Sequence, residues 1–215
     1  MLNVTVANFG CMNASIDTVA SDAGLMQLCQ NAVVTIVQMT GAQNLTNKHY
    51  SVHPRRNDRL VQVSDDLVAE FPGIEFRDIY FTRHLLSSLQ LESSERFDRI
   101  RRDLQENWVY RFRATLDEIG GQIVLLWLAD HIPGANPYDK PLGHDPMFVD
   151  RSMIDQLTAQ TPLYVEVIAT QDEIDAGFER MVFSPMEEPA ACEMLGPIVH
   201  QATARELIEV LRPLI

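Results

Sequence analysis

Residues 33–58 read VVTIVQMTGAQNLTNKHYSVHPRRND. The run from Val33 to Met39 is β-branched and apolar, the pattern of a strand buried on both faces of a sheet. It passes directly into Thr40–Gly41–Ala42–Gln43–Asn44. Beyond it, Asn44, Asn47, Lys48, His49, Tyr50, His53, Arg55, Arg56 and Asn57 crowd into a short span. In an open parallel sheet, ligands sit in the crevice beyond the carboxyl ends of the strands. The abrupt change from core strand to amide, imidazole and guanidinium therefore marks a candidate site, although an ordinary solvated loop is also polar. Asn47, His49, His53, Arg55 and Arg56 are the candidates for an anionic or sugar ligand, with an ion-paired surface loop as the alternative.

Working outward, Asn3–Phe9 has strand character, and Gly10 permits a tight turn after it. Ser15–Gln30 carries Ile16, Val19, Leu25, Met26 and Cys29 at helical spacing. Together with Val33–Met39 these segments make a βαβ unit, whose crossover is expected to be right-handed. On the other side, Ser64–Asp65–Asp66 is a helix start and Pro72–Gly73 a turn. Phe76–Leu91 reads as a helix flanking the polar loop, with Arg83–His84 as a surface pair. From a cap at Ser93 or Ser94, the residues Phe97, Ile100, Leu104, Trp108, Phe112, Leu116 and Ile119 fall at steps of three and four. Gly120–Gly121 ends that helix. Ile123–Leu128 is a continuous apolar strand with Asp130 and His131 at its carboxyl end. A Pro- and Gly-rich loop, a helix over Asp150–Gln160 and a strand over Leu163–Ala169 follow. Residues 170–199 are irregular, and Ala202–Leu211 is a closing helix. This alternation predicts an α/β fold of three layers, αβα: a flavodoxin-like, mostly parallel sheet in a single domain over residues 1–215.

Bulk properties narrow the function. A net charge of −13 argues against nucleic acid, which needs a basic face. The three cysteines, Cys11, Cys29 and Cys192, are widely spaced and form no CxxC, so neither a disulfide framework nor a zinc knuckle is indicated. The first residues lack the basic and apolar regions of a signal peptide, and no apolar run is long enough to cross a bilayer. A cytoplasmic protein without membrane contact is expected, provided the gene does not begin upstream. No phosphate-binding glycine loop and no metal-ligand spacing are present, so no cofactor and no metal are expected.

Several polar groups leave the same edge of such a sheet: Asn8 and Asn13, Asn44, Asp130 and His131, and His200 before the last helix. A basic imidazole, amide donors for an oxyanion and an orienting carboxylate are the requirements of acyl transfer. An obvious nucleophile is missing. Cys11 lies at a strand-to-helix turn, but a free cysteine is more often a small apolar residue.

Asn8–Phe9–Gly10–Cys11–Met12–Asn13, Gly41–Ala42–Gln43–Asn44 and His200 together resemble the motif blocks of the SGNH (GDSL-type) hydrolases. The whole chain resembles an uncharacterised bacterial family with that kind of fold. The resemblance implies that Asn44 is a side-chain oxyanion donor, that the Gly10–Asn13 backbone is a second one, and that His200 is the general base. Asn13 stands where those enzymes have a glycine, the Gly-x-Asn spacing is one residue too long, and Pro197 stands where the Asp before the histidine is expected. Asp130 is the candidate to orient a histidine from another strand. The family's serine block precedes Asn-x-Gly on a first strand, and this chain begins at the second. Either the sequence is N-terminally truncated or the flanking strands close up. In complete form the resemblance implies ester hydrolysis or acyl transfer on a carbohydrate; this chain is expected to show little esterase activity. Two other classes stay open. One is a non-catalytic binding module for a small anionic or glycan ligand. The other is a homo-oligomer in which a partner chain fills the open sheet position.

Overall fold

A computed structural model describes residue 2, residues 4–137 and residues 139–215. In chain order its elements are α1 (Ile16–Ala20), α2 (Ala23–Gln30), β1 (Thr35–Gln38), β2 (Tyr50–His53), β3 (Arg56–Val63), α3 (Asp65–Glu70), α4 (Thr82–Glu92), α5 (Ser94–Ile119) and β4 (Ile123–Ala129). They continue with α6 (Arg151–Thr158), β5 (Tyr164–Ile168), α7 (Gln171–Asp175), α8 (Glu188–Ala191) and α9 (Pro197–Leu211).

The fold is α/β. A parallel three-stranded sheet runs in the order β1–β4–β5, with Val37 opposite Leu125 and Leu126 opposite Val165. The continuously apolar β4 is central and buried along its whole length. Because successive side chains alternate faces, Ile123, Leu125 and Trp127 join a core with α2, α3, α4, α5 and α6. Val124, Leu126 and Leu128 pack instead with β5 and with Val199, Leu207 and Leu211 of α9. Helices thus cover both faces.

α5 forms as its spacing predicts. Ser93 Oγ accepts from the Arg96 backbone N–H at its start, all seven expected apolar positions are buried, and Gly120 ends it with φ +61°. A side chain there would be strained, whereas glycine is not. Trp108 is fully buried and stacks on Phe112, with ring centroids 4.2 Å apart.

Five expectations are corrected. Over its described residues, Asn3–Phe9 forms no strand (Asn3 itself lies outside them), and Val4, Val6 and Phe9 are exposed. A β-branched run becomes a strand only where a neighbour takes its backbone hydrogen bonds, and these residues have none. Consequently β1 is an edge strand rather than one buried on both faces, and Ile36 is 39% exposed. The expected helix Ser15–Gln30 is two helices, because the Asp22 carboxylate caps the second by accepting from Gly24 and Leu25 N–H. The expected helix Phe76–Leu91 becomes a 3-10 turn, Phe76–Asp78, followed by α4; Phe81 bridges to Arg59 in between. Lastly, the polar stretch after Asn47 is no open loop but the antiparallel hairpin β2–β3. Among the described residues, no helix is long and apolar enough to cross a membrane.

Candidate functional site

The carboxyl ends of β1 and β4 are neighbours in the sheet, and the chain leaving each is fastened by side chains from elsewhere. After β1, Thr40 C=O accepts from Trp108 Nε1 (2.7 Å), Gln43 C=O from Tyr50 Oη (2.7 Å) and Thr46 C=O from Asn107 Nδ2 (3.2 Å). Burial holds the Tyr50 hydroxyl in its neutral, donating form by pushing its pKa up. Gly41 N-caps the 3-10 turn Ala42–Asn44, and a Cβ on it would lie 2.6 Å from Met147 N, so no larger residue fits.

Asn44 is buried, and its Oδ1 accepts from Thr82 Oγ1 at the start of α4 (2.7 Å). That bond commits the amide oxygen and leaves Nδ2 as a donor with no hydrogen bond among the described residues. In the same turn, Thr40 Oγ1 and Gln43 Oε1 are buried without a partner among the described residues. Such orphaned acceptors call for an explanation in function.

On the neighbouring strand, Asp130 directly follows the last residue of β4, Ala129. Its Oδ1 lies 2.6 Å from His131 Nδ1 and its Oδ2 3.1 Å from His144 Nδ1. One carboxylate thus fixes two imidazoles whose side chains are each only 3% exposed, while its own is 25% exposed. The hydrogen bond from His131 holds the Asp130 carboxyl below the usual range, against the opposing effect of burial. Trp127 Nε1 donates to the His131 carbonyl (2.9 Å) and its ring meets the imidazole edge-on. Tethers join the two sides. Gln43 Nε2 donates to Asp145 Oδ1 (2.7 Å), Arg83 pairs with Asp145 Oδ2 (2.6 Å), and Ala42 N–H donates to Met147 C=O (2.9 Å). Asn44 and His144 are therefore each one residue from a hydrogen-bonded pair that spans the cleft.

The remaining candidates lie elsewhere. Gly10 is exposed, its N–H donating to Asn8 Oδ1 (2.8 Å). Asn13 is exposed with φ +59°. Neither is bonded to Asn44. Cys11 is exposed. His200 is exposed in the first turn of α9, against the sheet face opposite α5, and its side chain has no hydrogen bond or ion pair with any described residue. Asp130 is engaged instead with the histidine beside it and with His144. Asn47 organises its own turn, accepting from His49 and Tyr50 N–H and donating to Leu45 C=O. His49 Nε2 lies 2.8 Å from Asp103, which also pairs with Lys48. His53 Nδ1 accepts from Arg55 N–H (3.2 Å), and Arg55 and Arg56 stand exposed at the hairpin tip. Arg59 lies over the Phe81 ring, 5.6 Å from its centre and next to Thr82.

The family model described as Domain of unknown function (DUF6473) matches residues 1–215. The chain belongs to that family. No curated protein and no solved structure matches it.

For DUF6473, sequence reasoning picked out Asn44, Asp130 and His131 because each follows a core strand. It missed Gln43, Thr82, His144 and Asp145. His144 lies in a Pro- and Gly-rich loop that doubles back through positive-φ glycines at Gly134 and Gly143, and no local pattern announces it. The nearest signal was the Asp145–Pro146–Met147 segment ending that loop.

Proposed function

We propose that this chain is an SGNH-hydrolase-like domain that hydrolyses or transfers an ester-linked acyl group at the β1–β4 mouth. The observation that carries the reading is the Asn44 amide, whose oxygen is held by Thr82 so that Nδ2 is a fixed donor, next to the Gln43–Asp145 bond that ties this turn to the loop carrying His144 of the Asp–His cluster. A preorganised amide donor stabilises the oxyanion of a tetrahedral intermediate and is worth about 10²–10³-fold in rate where it has been removed. The imidazoles on Asp130 supply the base. In this reading water is the attacking group; among the described residues no serine or cysteine is hydrogen-bonded to Asn44, Asp130 or His131. The water oxygen bonds to the acyl carbon, its proton passes to an imidazole, the ester C–O bond breaks, and the proton returns to the departing alcohol oxygen.

Without a serine the turnover is slow. Hydrolysis of p-nitrophenyl acetate above the buffer rate, reduced at least about tenfold in Asn44→Ala, is the expected result. A rate equal to buffer, or one unchanged by the substitution, removes the reading.

The hairpin tip favours a second role, binding of an anionic or glycan ligand without chemistry. Arg55, Arg56 and Arg59 form no ion pair among the described residues, in a chain of net charge −13. A ligand-induced rise in melting temperature that vanishes in Arg55→Ala/Arg56→Ala supports this role. A broad panel of sugars and anions producing no shift excludes it.

A further inference from the structure

The polar trio at the end of β4 has the composition and spacing of a metal site. We infer that Asp130, His131 and His144 bind one divalent transition-metal ion, with Zn²⁺ the best chemical match. Each residue offers one ligand atom, and the three atoms lie within 4.8 Å of one another. Two imidazole nitrogens and one carboxylate oxygen are the donor set of open zinc sites, which keep a fourth position for water or substrate. They suit zinc and its first-row neighbours better than magnesium or calcium, which take oxygen ligands.

The two nitrogen–oxygen spacings are close to those an ion needs. Ligand bonds of about 2.0–2.2 Å in tetrahedral geometry separate the ligand atoms by roughly 3.3–3.5 Å. Here the carboxylate oxygens stand 2.6 and 3.1 Å from the two Nδ1 atoms. Protons now bridge nitrogen to oxygen, and an ion entering the trio replaces them as the groups open by less than about 1 Å, as expected for ligands that must be deprotonated to bind.

The surroundings argue the same way. Both imidazoles are buried, while the carboxylate keeps a quarter of its side-chain surface open to solvent, which gives an entry path. Outer contacts steady the ligands. Trp127 packs against the His131 ring and bonds its carbonyl, and Gln43 and Arg83 hold Asp145 beside His144. The other four histidines, His49, His53, His84 and His200, belong to no such group among the described residues.

An ion here would lower the pKa of a bound water towards neutrality and so supply a hydroxide nucleophile directly, in place of the base role given above to the imidazoles that it would occupy. That role rests on the hydrolase reading above; the binding site does not.

The test uses the whole chain, purified without a metal-affinity tag, stripped with chelator and titrated with Co²⁺ and then Zn²⁺. One equivalent of Co²⁺ is expected, giving visible bands of tetrahedral intensity that Zn²⁺ displaces. Asp130→Ala and His144→Ala weaken binding by more than the roughly 10–100-fold that supporting contacts cost, and His200→Ala leaves it unchanged. Should His144→Ala fail to fold, His144→Cys keeps a ligand and adds a thiolate-to-cobalt charge-transfer band in the near ultraviolet. No uptake by the wild-type chain overturns the inference. So does uptake that His144→Ala leaves intact, or a His144→Cys protein that binds without the thiolate band. Asn44→Ala separates the two proposals, because it lowers ester turnover while the cobalt spectrum stays as in the wild type.

Discussion

At the β1–β4 mouth polar side chains face one another; at the β2–β3 hairpin tip they face water. In the mouth, Asp130 holds two buried imidazoles, Gln43 reaches across to Asp145, and Thr82 fixes the Asn44 amide. Arg55 and Arg56 at the tip are exposed and without an ion-pair partner among the described residues, and the one deeply buried polar residue of β3, Asn57, ties the hairpin to α1. A region tied together by many buried hydrogen bonds resists distortion and keeps its geometry, including the few polar atoms it leaves unpartnered. A region of unpaired exposed cations contributes little to stability, because exposed charges are well solvated, and it stays available to a ligand.

The comparison breaks most readily at Asp130. Asp130→Ala removes the acceptor of both Nδ1–H groups inside the mouth, and each buried donor left without a partner costs about 1–3 kcal/mol. Urea unfolding is expected to show a loss of roughly 2–4 kcal/mol. His200→Ala, on an exposed side chain, should stay within about 0.5 kcal/mol. Equal effects from the two would mean that the Asp–His cluster is not the pinned feature described here.

Asn57→Ala probes the other region and should cost a comparable amount. Its Oδ1 accepts from Ser15 N–H (2.7 Å), Ser15 Oγ (2.9 Å) and Thr18 Oγ1 (2.8 Å), while Nδ2 donates to His53 C=O (2.9 Å). The substitution should destabilise by about 1–3 kcal/mol. The loss should be concentrated in α1, read as faster hydrogen exchange at 16–20 with β4 unchanged. Uniform loss of protection across the sheet would show that the hairpin and the mouth are not the separate units the contrast supposes.

Sequence made the mouth more legible than the hairpin, and the reason is physical. Ile123–Leu128 is apolar throughout because both of its faces are covered, so its position and the importance of the residues just beyond it could be read directly. α5 was equally plain, since one apolar stripe meets one core. The hairpin was hidden because its strands are half solvated, its tip is Pro54–Arg55–Arg56, and a shifted register between Val52 and its neighbours blurs the alternation. Residues 4–9 misled in the opposite direction. Their β-branched pattern is real, but a strand also requires a neighbour, and that information is not local. His144 and Thr82 are site residues through tertiary contacts alone, which no spacing rule records.

The smallest expected effect concerns pH at the base of the hairpin. Burial opposes ionisation of the Asp103 carboxyl, but hydrogen bonds from Lys48 and His49 outweigh it and hold its pKa below the usual value. A carboxyl depressed on folding stabilises the folded state above its unfolded pKa, and that stabilisation is lost as pH falls through the folded one. Asp103 is partly exposed, its side chain keeping 28% of its surface, so screening keeps the contribution under about 1 kcal/mol. Asp103→Asn should therefore lower the melting temperature slightly at pH 7, and the gap to wild type should close as the pH is taken below about 4, the ordinary aspartate value. A gap that stays constant from neutral to acid pH would assign the Asp103 contacts to packing rather than charge.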